Sequence, residues 1–382
     1  MDVQGRKLLF LKRVLCPPEV CVGRGSVERL GCVEPRRVLV VVRGSARRSG
    51  ALERVTAQLK NATACEVIEL GGGEPQAKAI GAARAAVTAF APDWIVAVGG
   101  GSVVDSAKFL WAQLECPDLV LSGTGPAPIG PLRRKARLIA VPTTAGSGSE
   151  ASQVAVLTGD DGTKIPYVSS QWIPDVAILD PVLTVSLPRE ITVTTGFDAL
   201  AHAVESAVSS LGNTLLRALA ATAVGLVLRH LPVAAENPRD LGARGGMLEA
   251  AFLAGLCQST ASTGAAHALS HAMSKLHGAP HGAGTGFYLL PTLRWNRRKS
   301  AAVYDELAAE CGLPDGAAFV TALTDLAARV GLPQRFEELV GRAPDAAERQ
   351  ALADAAAKDV CLRTNACRLG AQELAQLLAE IE

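Results

Sequence analysis

The chain has 382 residues, 49% of them hydrophobic and 20% charged, with a formal net charge of +1. That balance gives no global electrostatic reason to expect a nucleic acid or a membrane surface as partner, and the length suits two domains or two lobes of one. The nine cysteines form no CxxC pair, so a disulfide framework is not expected and they read as small, reduced, buried hydrophobes.

The opening MDVQGRKLLFLKRVLCPPEV has an apolar stretch broken by Lys12 and Arg13, without a signal-peptide core or cleavage site, so a cytoplasmic protein is expected. Beyond it, short β-branched runs alternate with helix-like segments. VLVVV (38–42), CEVIEL (65–70), DWIVAVGG (93–100) and RLIAVPTT (137–144) read as strands buried in a parallel sheet, with helices over 47–61 and 75–90. This β-α-β-α order is that of a doubly wound, Rossmann-like α/β domain with ligands at the strand C-termini. Between 153 and 180, VAVL, KIPYV and VAIL add short strands. After DPVLTVSLPRE (180–190) the chain turns Ala- and Leu-rich with helical periodicity. The reading is an α/β dinucleotide-binding lobe over 1–187 and an all-α lobe over 188–382. The apolar run 215–235 is interrupted by Arg217, Arg229 and His230, so it reads as a buried helix rather than a membrane span, and His230 as structural.

Two loops have the composition of a phosphate cradle. VAVGGGSVVDSAK (96–108) is a strand, then Gly99, Gly100, Gly101 and Ser102, then a helix carrying Asp105. Glycines let backbone N–H groups approach a pyrophosphate, and a helix N-terminus supplies partial positive charge. PTTAGSGSE (142–150) also follows an apolar strand and offers Thr143, Thr144, Ser147 and Ser149, with Lys164 of KIPYV added to the cofactor set. One glycine turn is weak, and the first loop is neither GxGxxG nor a P-loop. Two such loops after strands of one sheet carry more weight.

The strongest signal is a cluster of histidines. Of six in the chain, four fall in HALSHAMSKLHGAPHG, at His267, His271, His277 and His281. Upstream, FDALAHAVE puts Asp198 and His202 at i and i+4, on one helix face. Asp198, His202, His267 and His281 form a plausible N₃O set for one divalent ion, Fe²⁺ or Zn²⁺, with positions left for substrate. One Asp–His pair alone is more often a local polar contact; four ligands in this pattern point to a metal.

GGGSVVDSAK, PTTAGSGSE, DPVLTVSLP, the DALAH segment and HALSH…PHG resemble, in order and spacing, the iron-containing (group III) alcohol dehydrogenases, from 23 to the C-terminus. That resemblance implies a Rossmann-like lobe, a helical lobe and a cleft between them. It implies an aspartate, a histidine four residues on and two histidines fourteen apart as metal ligands, matched by Asp198, His202, His267 and His281, with Fe²⁺ ahead of Zn²⁺. It implies a metal that polarises the substrate carbonyl, hydride delivered by a nicotinamide, and His271 between the two. Because imidazole titrates near neutral pH, His271, directly or through water and ribose hydroxyls, is the expected proton relay. A homodimer or higher homo-oligomer is expected on the same ground. Two other readings stay open: a dehydroquinate synthase-like lyase that cycles its NAD internally, and a binding protein on the same fold.

VVVRGSARRSG (40–50) bears on the nicotinamide. Related NAD-preferring enzymes often carry an aspartate near Arg43, whereas Gly44, Ser45, Arg47 and Arg48 suit a 2′-phosphate, so NADPH is expected over NADH. SKLHGAPHG (274–282) partly resembles phosphonoacetaldehyde reductases, which usually have tyrosine where His271 stands. VCLRTNACR (360–368) matches a segment that lines the substrate pocket in relatives, with Arg363 and Ala366 departing from their pattern. Lys275, Arg294, Cys361 and Arg363 are therefore the expected substrate contacts, for a small anionic aldehyde or keto acid such as a phosphonate.

Overall fold

The computed structural model describes residues 13–33, 36–121, 127–159 and 161–381. The first twelve residues, on which the absence of a signal peptide was read, lie outside the described residues.

Among the described residues, eight strands and fourteen α-helices alternate and then separate along the chain. The strands are β1 (Glu19–Val22), β2 (Arg37–Arg43), β3 (Ala64–Leu70), β4 (Trp94–Gly99), β5 (Arg137–Pro142), β6 (Val154–Thr158), β7 (Lys164–Val168) and β8 (Val176–Leu179). Six of them form one all-parallel sheet in the order β1-β8-β5-β4-β2-β3, while β6 and β7 make a separate antiparallel hairpin. Side chains alternate across a strand, and both faces here are covered. Leu39, Val41, Ile95, Ala97, Leu138 and Ala140 enter one core layer. Val38, Val40, Val42, Val96, Val98 and Val141 enter the other. That is why these strands read as unbroken apolar runs.

Four short or medium helices accompany the sheet: α1 (Gly44–Arg48), α2 (Ala51–Thr56), α3 (Ala77–Phe90) and α4 (Gly101–Glu115). The single helix expected over 47–61 is two, because Gly50 adopts φ 75° and breaks it. A second correction concerns CEVIEL. It forms β3, but as the sheet's edge strand it is largely exposed rather than buried. Its counterpart at the other edge, β1, is four residues of EVCV paired with β8, and no expectation covered it.

After Leu179 the described chain has no further strand. The helices are α5 (Arg189–Val208), α6 (Thr214–Glu236), α7 (Leu241–Ala261), α8 (Ala265–His277), α9 (His281–Arg297), α10 (Ala301–Glu310), α11 (Gly316–Val330), α12 (Phe336–Val340), α13 (Ala346–Ala356) and α14 (Ala371–Ala379). By length and composition α6 is apolar enough to cross a bilayer. Its residues Leu216, Ala220, Val224, Val227 and Leu231 are fully buried, however, and it packs on α5 and α7. That i, i+4 stripe is what a core helix of the lobe shows. His230 is likewise structural: its ring lies where a Cβ on Gly246 of α7 would fall, so the α6–α7 contact depends on that glycine.

Candidate metal centre and cofactor site

The two glycine loops lie side by side because β4 and β5 are neighbours in the sheet. Gly99 ends β4, Gly100 caps α4, and Gly101 and Ser102 start that helix. Thr143 N donates to Gly99 O at 3.0 Å. A Cβ on Gly100 would lie 2.9 Å from Thr144 Oγ1, and one on Gly101 would lie 2.3 Å from Ser147 Oγ. The glycines thus let hydroxyls of one loop touch the backbone of the other. Gly146 packs against Thr195 of α5, one turn before Asp198, which brings this pair of loops to the helical lobe.

Below the loops runs a polar network that the sequence reading missed. Lys108 is fully buried, and its ammonium donates to Ser149 O (2.7 Å), Val154 O (2.8 Å), Ser152 O (2.9 Å) and the hydroxyls of Ser149 and Ser152. Burial pushes it down to about 8. Asp105 accepts from Ser149 Oγ and, at 2.9 Å, from Val156 N. Both oxygens of Asp105 are therefore engaged within the protein, tying α4 to the second loop and to β6. Lys164 is mostly buried, paired with Glu74 and 3.3 Å from Thr158 Oγ1, and burial lowers it to about 8. Gly44, Ser45, Arg47 and Arg48 sit in α1 directly after β2, where Arg47 Nε lies 3.4 Å from Glu69 Oε2.

The histidine cluster is built by α5, α8 and α9. One turn of α5 separates Asp198 and His202, both buried. Gly278, at φ 69°, ends α8 in the left-handed region, and α9 begins at His281 after Pro280. The reversal lays His281 beside His267 and His271. Asp198 Oδ1 lies 3.5 Å from His281 Nε2 and 3.8 Å from His267 Nε2, and Asp198 Oδ2 lies 3.9 Å from His202 Nδ1. Those distances are too long for hydrogen bonds. Asp198 Oδ1, His202 Nδ1 and His267 Nε2 are buried without any hydrogen-bond partner. Ligand atoms about 2.1 Å from one tetrahedral ion stand roughly 3.4 Å apart, so the separations suit a shared cation. Ligand atoms of Asp198, His267 and His281 lie within 4.8 Å of one another, and the His202 ring packs against His267 at 4.5 Å between centroids. Burial drives His267 and His281 well below the usual imidazole range, which keeps their lone pairs free, and it raises Asp198.

Around the cluster, each of two rings has a partner on its other nitrogen. His267 Nδ1 is 2.5 Å from Glu205 Oε2, and Glu205 also accepts from Ala266 N at 2.7 Å. Burial pushes the Glu205 carboxyl up to about 7. His281 Nδ1 is 3.3 Å from Ser270 Oγ. Such partners fix ring orientation in metal sites. Glu205 was not among the expected site residues, although it shares a face with Asp198 (i+7) and His202 (i+3). His271 stacks on His281 at 5.1 Å and 23°, with its Nδ1 2.8 Å from Asp359 Oδ2. Asp359 too was not foreseen.

The expected substrate residues divide. Cys361 lies with its thiol within 4.8 Å of ligand atoms on His271 and Asp359. Arg363 is exposed two residues on. Lys275 is held by Asp161 Oδ2 (2.9 Å) and Thr163 Oγ1 (2.7 Å) at the tip of the β6–β7 hairpin. Arg294 does not join the site. It lies thirteen residues along α9 from His281, about 20 Å at 1.5 Å per residue, and donates to Thr324. Nearness to the histidines in sequence misled that assignment, because a straight helix carries residues away from its start.

Comparison with known proteins decides the family. A family model described as iron-containing alcohol dehydrogenase matches residues 17–181, and one for the C-terminal part of the same family matches 192–381. The chain belongs to the iron-containing alcohol dehydrogenase family. It is 32% identical to an NADPH-dependent butanol dehydrogenase of Clostridium saccharobutylicum, over 79% of each chain. An iron-containing alcohol dehydrogenase from Thermococcus thioreducens superposes with a TM-score of 0.89 at 30% identity, covering 97% of this chain and 99% of that one. A sulfoacetaldehyde reductase from Bifidobacterium kashiwanohense, solved with NAD⁺, gives 0.89 at 28% identity, covering 97% and 98%. As an iron-containing alcohol dehydrogenase, this chain is an oxidoreductase acting on CH–OH groups, and its family implies a metal and a nicotinamide cofactor. Both family models describe dehydrogenases, which sets aside the lyase.

Proposed function

We propose that the chain is a metal-dependent aldehyde reductase that uses NADPH in preference to NADH, with a division between its lobes at 187/188. The observation that carries it is the set of three buried, partnerless polar atoms on Asp198, His202 and His267, beside His281 and one turn from a glycine loop. Asp198, His202, His267 and His281 hold the metal, Fe²⁺ ahead of Zn²⁺. Gly99, Gly100, Gly101, Ser102, Thr143, Thr144 and Ser147 line the pyrophosphate and nicotinamide end. When bound, the metal supplies a Lewis acid for the carbonyl and the nicotinamide supplies hydride.

His271 relays the proton between the substrate oxygen and solvent. It and His281 are the more exposed rings of the cluster, with side chains 17% and 27% exposed against 4% for His267. Gly44, Ser45, Arg47 and Arg48 receive a 2′-phosphate, a reading the NADPH-dependent butanol dehydrogenase supports. The substrate is a small aldehyde. A relative that reduces sulfoacetaldehyde supports an anionic one, with Arg363 as the cation, since Lys275 is engaged and Arg294 is remote. By family, the assembly is a homodimer or larger.

The test is the loss of NADPH absorbance with a panel of neutral, carboxylate, sulfonate and phosphonate aldehydes, after loading with Fe²⁺ or Zn²⁺ and with a chelated control. Metal-dependent oxidation with an anionic preference is expected. Turnover that survives chelation overturns the metal assignment, and equal rates on butyraldehyde overturn the anionic substrate.

A further inference from the structure

The relay proposed for His271 depends on which ring nitrogen carries the proton, and a residue outside the metal cluster decides that. Asp359 Oδ2 faces His271 Nδ1 at 2.8 Å across 88 residues of sequence. A carboxylate can only accept, so the imidazole must donate, and its Nδ1 carries the hydrogen. Among the described residues Nε2, on the far side of the ring, has no hydrogen bond within the protein, and the ring stacks on His281.

The mount is stiff. Asp359 Oδ1 accepts from Cys361 N at 2.8 Å, so Asp359 also caps the 3-10 turn Val360–Thr364. The far end of that turn is pinned to the chain entering α8. Thr364 Oγ1 donates to Thr263 O at 2.7 Å, and Asn365 Oδ1 accepts from Ala265 N at 3.1 Å. Asn365 and Asn296 exchange two amide hydrogen bonds at 2.9 and 3.0 Å. The carboxylate and the histidine it faces are thereby fixed to one another at both ends. Burial is the largest single influence on Asp359 and opposes its charge, but His271 and the hydrogen bonds from Cys361 together outweigh it and keep the carboxyl below its usual range. The neighbouring Cys361 thiol is pushed well above its ordinary value by burial and stays neutral, so it adds no competing anion.

We propose that Asp359 is a positioning residue that locks His271 in the Nδ1–H tautomer and so presents Nε2 as the proton acceptor of the site. In alcohol oxidation Nε2 would take the proton of the substrate hydroxyl, the O–H bond breaking as the N–H bond forms, and a bound nicotinamide would supply the hydride acceptor. The proton then passes to solvent, and reduction runs the same path backwards. This rests on the His271 reading above, but it makes a claim about the ring that holds whether or not the ring relays a proton.

The test uses Zn²⁺-loaded, histidine-¹⁵N-labelled enzyme, in which long-range ¹⁵N–¹H correlations report the protonated nitrogen of each ring. Wild type is expected to show Nδ1–H at His271, and Asp359→Asn a shift to Nε2–H, because the amide can donate. An Nε2–H tautomer in wild type overturns the proposal without need of any variant. In kinetics, Asp359→Asn is expected to lower kcat about 10- to 100-fold with little change in the KM for NADPH, as for other groups that orient a functional histidine. In a His271→Ala background it should then cost nothing further. A loss that simply adds to that of His271→Ala marks a structural role and overturns the proposal. Full turnover in His271→Ala with the Nδ1–H tautomer intact in wild type removes the relay alone, leaving the positioning established by the spectrum.

Discussion

The two halves of the candidate site handle buried polar groups in opposite ways. Under the glycine loops, Lys108 meets five oxygens and Asp105 two donors, so the charges of that region are satisfied by the chain itself. In the helical lobe, Asp198 Oδ1, His202 Nδ1 and His267 Nε2 are just as buried and have no partner. A buried polar atom without a hydrogen bond costs about 1–3 kcal/mol, and several in one place persist only where something else completes them. The first half is thus a polar scaffold closed on itself beneath the loops proposed for the cofactor. The second leaves three unpartnered atoms of the proposed metal ligands in one place, and it is their convergence, not burial alone, that favours a ligand there.

If that contrast is right, damage to the two halves should separate cleanly. The largest effect is expected from Asp198→Ala, which removes the only carboxylate of the ligand set. Bound metal should be lost, with turnover down about 10³-fold or more, since a Lewis acid contributes several kcal/mol to such a step. NADPH binding, followed by fluorescence, should change little. A variant that keeps its metal and its rate would break the comparison at its strongest point. Next comes Lys108→Met, which strands carbonyls and leaves Asp105 buried without a cation. It should destabilise the fold by about 3–5 kcal/mol in denaturant titration and weaken the cofactor, with metal content in the folded fraction unchanged. Wild-type stability in that variant would show the network to be incidental.

The same contrast explains what was legible in the sequence. Periodicities are local, and the features they govern were readable. The β2, β4 and β5 runs are apolar throughout because alternate side chains enter two separate core layers. Asp198 with His202, and His267 with His271, announce their shared faces by spacing alone. What stayed hidden are pairings over long stretches of chain: Glu205 with His267 across 62 residues, Asp359 with His271 across 88, Lys108 with the 149–154 segment. Each is an ordinary-looking residue until the fold supplies its partner. Glu205 alone left a local trace, at i+3 from His202. The partners of Lys275 were equally hidden, since the hairpin tip that holds it lies 112 to 114 residues upstream. β1 and β3 were missed or misjudged because an edge strand need not be apolar on both faces.

The smallest effect tests the seam between the halves of this logic, the Glu205–His267 contact. Burial raises Glu205 from 4.5 to about 7, so in the metal-free protein the folded state holds a proton across that interval that the unfolded chain has given up. Stability from this group is present below pH 4.5 and is lost as pH rises through 7. A cation at His267 reverses the preference, because it favours the ionised carboxylate behind the ring. Metal affinity should accordingly climb with pH up to about 7, by about tenfold per pH unit from this one proton, and then level off. Competition against a chelator on either side of pH 7 measures it, and Glu205→Gln should reduce the slope by one proton while lowering the affinity overall. An unchanged slope in Glu205→Gln would place the displaced proton on Asp198, itself raised by burial, and Glu205 would then belong with the polar scaffold rather than with the ligand shell.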